Sequence, residues 1–332
     1  MHKTIFVTGA DGFIGSHLVE SLVAAGHRVR ALALYNALGR WGWLDQLDAR
    51  TLQSVEVITG DVRDAVVVRR AMQGCDTVMH LAALIGIPYS YLAAQSYVDT
   101  NVSGTLNVLQ AARELGVARV IHTSTSEVYG TAQQVPIDEQ HRLFAQSPYA
   151  ATKIAADQLA LSYHASYGLP VIVLRPFNTY GPRQSARAVI PAIISQLAEG
   201  VREIKLGSLH PTRDFNYVTD TVAAFCGALQ CAGFGEVINI GSGFEISIGE
   251  LAHMIAKIMR AEPAIIRDAA RVRPAASEVE RLVANADKAR RLLAFAPRYS
   301  GRDGLQRGLA ATVDWFTQPA NLAWFRGNHH TV

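Results

Sequence analysis

Tyr149 and Lys153 stand four residues apart in a segment that opens with Ser147-Pro148, a start that suits the first turn of a helix. At that spacing two side chains rise one above the other on a single helical face, so the Lys153 ammonium can draw the Tyr149 phenol toward ionisation. A phenol held that way is a base for a hydroxyl proton. Thr125-Ser126-Glu127 follows the apolar run Arg119 to Thr123, which puts a hydroxyl and a carboxylate at the end of an expected strand. Thr125 can hydrogen-bond the same substrate hydroxyl, and Glu127 can remove a proton from the carbon beside a newly formed carbonyl. Each feature has a plainer alternative: an exposed helix pair for Tyr149 and Lys153, and for Glu127 a turn cap or an ion pair with Arg119 or Arg183.

The opening Thr8-Gly9-Ala10-Asp11-Gly12-Phe13-Ile14-Gly15 shows what such a base would serve. It directly follows the short apolar run 4–8 and begins a helical pattern of Ile14, Leu18, Leu22 and Val23 that stops at Gly26. Gly9 permits a tight turn, Gly12 lets the backbone approach a pyrophosphate, and Gly15 lets the helix pack on the sheet. The helix N-terminus then faces the phosphates. A nicotinamide dinucleotide there accepts the hydride that an alcohol releases along with its proton. Asp61-Val62 and Leu81-Ala82-Ala83 follow the third and fourth strands, where open sheets bind ligands. They are the expected adenine and ribose neighbours. The acid that grips the adenosine ribose ~20 residues beyond the glycines is missing, because residues 30–36 hold no Asp or Glu. Tyr35 and Asn36 remain for neutral hydroxyls, and Arg28, Arg30 or Arg40 for a 2′-phosphate. No arginine occupies the strand tip itself, which favours NAD and leaves NADP open.

The elements that must position these groups alternate. Apolar runs at Val29 to Leu34, Val55 to Thr59, Thr77 to Leu81, Arg119 to Thr123 and Val171 to Arg175 are separated by segments of helical length, which implies parallel strands covered on both faces. The fold class is a doubly wound α/β sheet of Rossmann type, with a smaller, interleaved C-terminal α/β substrate domain. The boundaries read as 1–175, with a return segment at about 214–243 ending in the strand Val237 to Ile240, and 176–213 plus 244–327 for the second domain. Ser247 and Glu250 form a capping box for a helix carrying Leu251, Ile255 and Ile258, and residues from about Gly327 to Val332 read as a loose tail.

A chain of 332 residues, 49% hydrophobic and 18% charged, is globular rather than disordered. Its 31 basic and 28 acidic residues nearly balance, so nothing demands nucleic acid or a membrane surface. No apolar run approaches the ~20 residues needed to span a bilayer, and no leader pattern opens the chain, so the expected location is the cytoplasm. Three scattered cysteines read as reduced packing thiols. Histidines without ligand spacing give no metal site.

At these residues the chain resembles the extended short-chain dehydrogenase/reductase family of nucleotide-sugar epimerases, dehydratases and decarboxylases. The resemblance runs from the glycine turn through Asp99-Thr100-Asn101-Val102 and Thr125-Ser126-Glu127-Val128-Tyr129-Gly130 to Arg175-Pro176-Phe177-Asn178-Thr179-Tyr180-Gly181-Pro182-Arg183. It implies a nucleotide-sugar 4,6-dehydratase in which Tyr149 and the cofactor oxidise C4, Glu127 removes the C5 proton, water leaves from C6, and the hydride returns to C6. Ser126 stands where many dehydratases place an acid, so Glu127 serves both as base and acid or Ser126 relays through water. Residues 82–91 and 184–191 look most like the dehydratases of the legionaminic acid pathway, which act on a nucleotide-linked N-acetylglucosamine. Cofactor contacts are expected from Gly9, Asp11, Gly12, Phe13, Ile14, Gly15, Tyr35, Asn36, Asp61, Val62, Leu81, Ala82, Ala83, Thr123, Tyr149, Lys153 and Phe177.

For the nucleotide diphosphate, arginines offer paired donors. Arg213, in Thr212-Arg213-Asp214-Phe215, is expected first, then Arg273 and Arg183, with Arg187 and Arg271 as weaker candidates. Asn178, Val189, Gly207 and Glu278 complete the expected substrate contacts. The resemblance also implies a homodimer through a four-helix contact, with Leu106, Leu109 and Ala112 on one helix and Ala155, Leu159 and Tyr163 on the other, unless those stripes face the sheet. Rival functions are a nucleotide-sugar 4-epimerase, a UDP-glucuronate decarboxylase, or a dinucleotide-sensing module without turnover.

Overall fold

A computed structural model describes residues 2–325 of the chain. Strands β1 (Thr4–Thr8), β2 (Arg28–Leu34), β3 (Val55–Gly60), β4 (Thr77–His80), β5 (Arg119–Thr123) and β6 (Val171–Pro176) alternate with helices. The chain then leaves for β7 (Asn178–Tyr180), β8 (Glu203–Leu206) and β9 (Thr212–Tyr217) before β10 (Glu236–Ile240) returns to pair parallel with β6. The seven-stranded sheet runs β10-β6-β5-β4-β1-β2-β3 and is parallel throughout. Its order reverses between β1 and β4, so the carboxyl ends of these strands open onto a crevice.

Continuous apolar strands reflect burial on both faces. Along β1, Ile5 and Val7 join the core layer with Leu18, Leu22 and Phe225, while Phe6 joins the opposite layer with Val78, Val108 and Ala160. That second layer also takes Leu109 and Ala112. Two of the residues expected at a subunit contact therefore pack on the chain's own core, while Leu106 is 41% exposed. Tyr163 is buried, and its hydroxyl donates to Gln110 Oε1 at 2.9 Å, joining helices Gly104–Glu114 and Pro148–Tyr167.

In the second half, β9 pairs with β7, with β11 (Glu245–Ser247) and with β13 (Arg281–Leu282), while β12 (Ala264–Arg267) pairs with β8. The buried Asp214 carboxylate accepts from the backbone of Ser242, Gly243 and Ala284 and from the Ser242 hydroxyl, which pins β9 to the loop after β10. Helix Ile248–Ile258 opens with the capping box at Ser247 and Glu250. All three cysteines are free thiols. No described helix is long and apolar enough to cross a membrane, and no cluster of three or more His, Cys, Asp or Glu side chains among the described residues could hold a metal. The expected tail from Gly327 lies outside the described residues.

Candidate active site

Two glycines of the turn leave no room for a Cβ. Gly9 has φ +66°, and a Cβ there would lie 2.7 Å from the Ala82 nitrogen; one on Gly15 would lie 2.0 Å from the Gly9 carbonyl. Helix Phe13–Ala24 starts at Gly12 with no side-chain cap and no acid in its first turn. Its first amide groups are therefore open to an anion. Asp11 sits inside this turn, and Phe13 and Ile14 pack partly buried against the core.

A chain of hydrogen bonds ties this turn to the catalytic helix. Leu81 and Ala82 donate backbone N–H to Thr8 Oγ1 at 3.2 and 3.1 Å, so the Thr8 hydroxyl proton goes to His80 Nδ1 at 2.7 Å. His80 Nε2 then donates to Thr105 Oγ1 at 3.0 Å, whose proton goes to the Asn101 carbonyl. This order assigns His80 the neutral tautomer with its proton on Nε2. Burial, reinforced by the charges of His122 and Lys153, holds its pKa well below the ordinary value. Asn101 lies in a widened π turn, Val98–Ser103, that leads into helix Gly104–Glu114; a hydroxyl bonded back to a carbonyl four residues earlier favours such a departure. Its side chain brackets Leu84 and donates to Thr152 Oγ1, which donates to the Tyr149 carbonyl.

Tyr149 is 6% exposed. Burial pushes its phenol above the ordinary value, a hydrogen bond with Thr125 pulls it back, and the Glu127 charge pushes it up again. The Lys153 ammonium donates to the Thr123 carbonyl at 2.6 Å. Burial brings Lys153 down to about 8, against the Asp157 carboxylate, which pulls it up. In the chain alone, then, Lys153 does not draw the phenol toward ionisation as its spacing suggests: desolvation dominates, and the phenol keeps its proton. Below Lys153, the buried Asp157 accepts from Ser124 at 2.8 Å and from Arg175 at 3.0 and 2.9 Å. Burial opposes its charge, but His122, Arg175 and Ser124 hold its carboxyl below the ordinary range.

Glu127 is 8% exposed. Thr125 caps the short turn Ser126–Tyr129 by accepting the Glu127 N–H, so the cap belongs to Thr125. The two alternative ion-pair partners are engaged elsewhere: Arg119 donates to the carbonyls of Ala228 and Cys231, and Arg183 forms a bidentate pair with Glu20 at 2.9 and 2.8 Å. No side chain among the described residues donates a hydrogen bond to the Glu127 carboxylate, whereas its charge reaches both the Tyr149 phenol and the Arg213 guanidinium. Ser126 beside it is buried.

Around the expected adenosine, Tyr35 is 73% exposed. Asn36 is consumed by its own loop, donating to the Leu34 and Arg40 carbonyls and accepting from the N–H of Leu38 and Arg40. Asp61 pairs with Arg63, and Val62 is buried against Gly104. Arg28 begins β2 beside Thr4, at the end of the sheet opposite the glycine turn. Arg30 is held by Glu56 and two carbonyls. Leu81, Ala82 and Ala83 follow the end of β4, Thr123 Oγ1 is buried without a hydrogen-bond partner among the described residues, and Phe177 is buried with Tyr129 and Val128.

On the opposite wall Arg213, 5% exposed, lies 3.6 Å from Glu278 Oε1, and Arg273 reaches the same oxygen at 3.8 Å. Burial lowers the Arg213 pKa, and the Glu127 charge raises it. Arg273 Nη1 and Asn178 Oδ1 are buried without a hydrogen-bond partner among the described residues. Gly207 approaches the Arg271 carbonyl so closely that a Cβ would lie 2.6 Å away. Val189 opens helix Val189–Ala198. Arg187 is exposed, Arg271 pairs with Asp268, and Arg183, with its Glu20 pair and a bond to Ser16 Oγ, braces the dinucleotide-side helix instead of joining Arg213. The Thr8–His80–Thr105–Asn101 ladder and the Asp157–Arg175 pair escaped the sequence reading; four-residue spacings (Asn101 to Thr105, Lys153 to Asp157) were their only trace.

The GDP-mannose 4,6 dehydratase family model matches residues 6–308. A dTDP-glucose 4,6-dehydratase from Actinoplanes sp. is 34% identical over 97% of this chain and 99% of its own length. A UDP-N-acetyl-alpha-D-glucosaminuronate decarboxylase from Bacillus cytotoxicus is 33% identical over 97% of this chain and 100% of its own. A double mutant of DesIV, a dTDP-glucose 4,6-dehydratase from Streptomyces venezuelae solved with NAD bound, superposes with a TM-score of 0.85 at 31% identity, covering 96% of this chain and 98% of that one.

Proposed function

The chain belongs to the GDP-mannose 4,6 dehydratase family, among the extended short-chain dehydrogenases/reductases, and from that membership we propose that it is an NAD-dependent nucleotide-sugar 4,6-dehydratase. Its substrate is an NDP-hexose, with N-acetylglucosamine as the sugar, and its product the 4-keto-6-deoxy sugar. The observation that carries this reading is the Glu127 carboxylate, nearly buried, free of side-chain donors among the described residues, and within electrostatic reach of both Tyr149 and Arg213. A base so placed suits the proton beside a carbonyl.

The residues present fit a dinucleotide: Gly9 and Gly15 admit no Cβ, the helix N-terminus is uncapped, and Thr123 Oγ1 is buried without a hydrogen-bond partner among the described residues. When bound, NAD supplies the acceptor for the C4 hydride and the donor that returns it to C6. Tyr149, which keeps its proton in the chain alone, would release it to solvent when the positive charge of bound NAD joins that of Lys153; the phenolate would then take the C4 hydroxyl proton, with Thr125 beside it to hold that oxygen in line. Lys153 stands beneath them, its ammonium on the Thr123 carbonyl. Glu127 removes the C5 proton and delivers one to the C6 hydroxyl, which departs as water. Arg213 and Arg273 receive the diphosphate, and Asn178 Oδ1 and Arg273 Nη1, without hydrogen-bond partners among the described residues, await a donor and an acceptor from the ligand.

One observation favours a second reading. Decarboxylation of a uronate needs an arginine near the reacting carbon, and Arg213 lies within reach of Glu127. Incubation with UDP-, GDP- and dTDP-linked N-acetylglucosamine and glucose, and with UDP-glucuronate, followed by mass spectrometry, separates the readings. Loss of one water supports the dehydratase. Loss of carbon dioxide from the uronate replaces it with the decarboxylase, and an unchanged mass with a new stereoisomer replaces it with the epimerase. Dinucleotide binding without turnover across the panel leaves a sensing module.

The same reading places the enzyme in the cytoplasm, supplying a 6-deoxy sugar for cell-surface polysaccharide. It acts there as a homodimer through helices Gly104–Glu114 and Pro148–Tyr167, on which Leu106 and Tyr167 remain 41% and 52% exposed.

A further inference from the structure

At the tip of β2 stands a carboxylate that β2 itself does not supply. Asp11, from inside the glycine turn, accepts the N–H of Leu34, the last residue of β2, on Oδ2 at 3.0 Å. The following loop is folded onto the same residue: Trp43 donates its N–H to the Asp11 carbonyl at 2.9 Å, and a Cβ on Gly42, at φ +56°, would lie 2.5 Å from that carbonyl. The alternatives at this tip are spent. Asn36 has its oxygen and both amide hydrogens bonded within residues 34–40, and Arg30 is held by Glu56, Ala71 and Gln73. Arg40, 67% exposed, leans at 3.9 Å on Asp45. No side chain among the described residues donates to Asp11, which keeps acceptor capacity on a half-buried carboxylate.

We infer that Asp11 takes the place of the missing strand-tip acid, gripping the adenosine ribose hydroxyls and thereby selecting a dinucleotide with a free 2′-hydroxyl over one bearing a 2′-phosphate. Two neighbouring hydroxyls can both donate to one carboxylate, and those charge-assisted bonds are the strong kind. A phosphate at the same carbon meets like charge, and among the described residues no arginine is in position to offset it. Burial pushes the Asp11 pKa up and the Leu34 N–H pulls it down, so further donors from a ligand would favour the charged form.

The inference rests on the dinucleotide reading of the site, and binding measurements keep the two apart. Dissociation constants of the full chain for NAD+, NADP+ and NAD+ lacking the adenosine 2′-hydroxyl are measured by calorimetry, for the wild type, Asp11→Asn and Asp11→Ser. The wild type should prefer NAD+ to both other ligands by about tenfold or more, and Asp11→Asn should weaken NAD+ about ten- to a hundredfold, as loss of a charged hydrogen bond does. The penalty for the missing 2′-hydroxyl should vanish in the variants, and NADP+ should bind them no more weakly than it binds the wild type. Unchanged NAD+ affinity in Asp11→Asn, or equal wild-type affinity for NAD+ and its 2′-deoxy analogue, overturns the assignment while leaving the dinucleotide site standing. If neither natural dinucleotide binds the wild type, both the assignment and the reading beneath it fall. Should the variants not fold, the wild-type comparison of NAD+ with its 2′-deoxy analogue decides alone.

Discussion

The two walls of the crevice are built differently. On the sheet side a ladder is closed within the chain: Thr8, His80, Thr105, Asn101 and Thr152 hand hydrogen bonds from the end of β4 to the backbone of Tyr149, although Thr123 Oγ1 and both His122 nitrogens lack hydrogen-bond partners among the described residues. On the opposite side, two arginines share one carboxylate at 3.6 and 3.8 Å, well beyond the roughly 2.7–2.9 Å of a charge-assisted hydrogen bond. Among the described residues, Arg273 Nη1 and Asn178 Oδ1 there have no hydrogen-bond partner. A buried donor without a hydrogen-bond acceptor is costly, so an anion would complete the second wall, whereas the ladder on the first is formed before anything binds. Chemistry should therefore depend on the first wall and substrate affinity on the second.

The sharpest way to break that contrast is Tyr149→Phe. Turnover and cofactor reduction should fall by about 10²–10⁴, the usual cost of losing a positioned base, with dinucleotide affinity nearly unchanged in a binding titration; normal turnover removes Tyr149 from its role. Next, Glu127→Gln should slow water loss by roughly 10² or more while C4 oxidation persists, so that reduced cofactor accumulates in a single-turnover absorbance trace. Equal slowing of both steps would deny Glu127 a separate task. Arg213→Ala tests the other wall: the Michaelis constant for the nucleotide sugar should rise about ten- to a hundredfold, and dinucleotide affinity should not move. If both affinities weaken together, the walls are not independent.

The smallest effect is a slope. Burial takes the Lys153 pKa from 10.5 to about 8, so between those values the unfolded chain binds the proton that the folded chain has released. Stability of the wild type relative to Lys153→Met should thus rise as pH climbs from about 8 to 10.5, the penalty of the buried ammonium being full below that window and absent above it. Denaturant titrations across the range check this, and parallel curves would mean that Lys153 is not desolvated as its surroundings indicate.

Several features needed no tertiary structure. Mainly apolar runs ending in glycine or a polar turn marked each strand of the main sheet to within a residue or so, because a strand covered on both faces is largely apolar. The return of Val237 to Ile240 to the sheet was legible for the same reason, and the capping box at Ser247 and Glu250 is local chemistry. Where contacts cross the chain, local patterns misled. Leu109 and Ala112 form a helical stripe that suits either a partner or a sheet, and only packing shows that it meets the sheet. Arg183 sits in a motif with substrate-side neighbours, yet Glu20, distant in sequence, takes it.

What the sequence by itself determined is the chemistry on offer: a hydroxyl, a carboxylate, a phenol and an ammonium at strand and helix ends, with a glycine turn for phosphates. Residue type and local spacing carry that much, since propensity and periodicity act over a few neighbours. Only the folded chain decided which charge stands beside which. It brought the Glu127 charge to bear on Arg213, tied Asn36 into its own loop and brought Asp11 to the tip of β2. It also let desolvation prevail over Lys153 at the Tyr149 phenol. Burial and long-range electrostatics depend on distances that sequence separation does not encode.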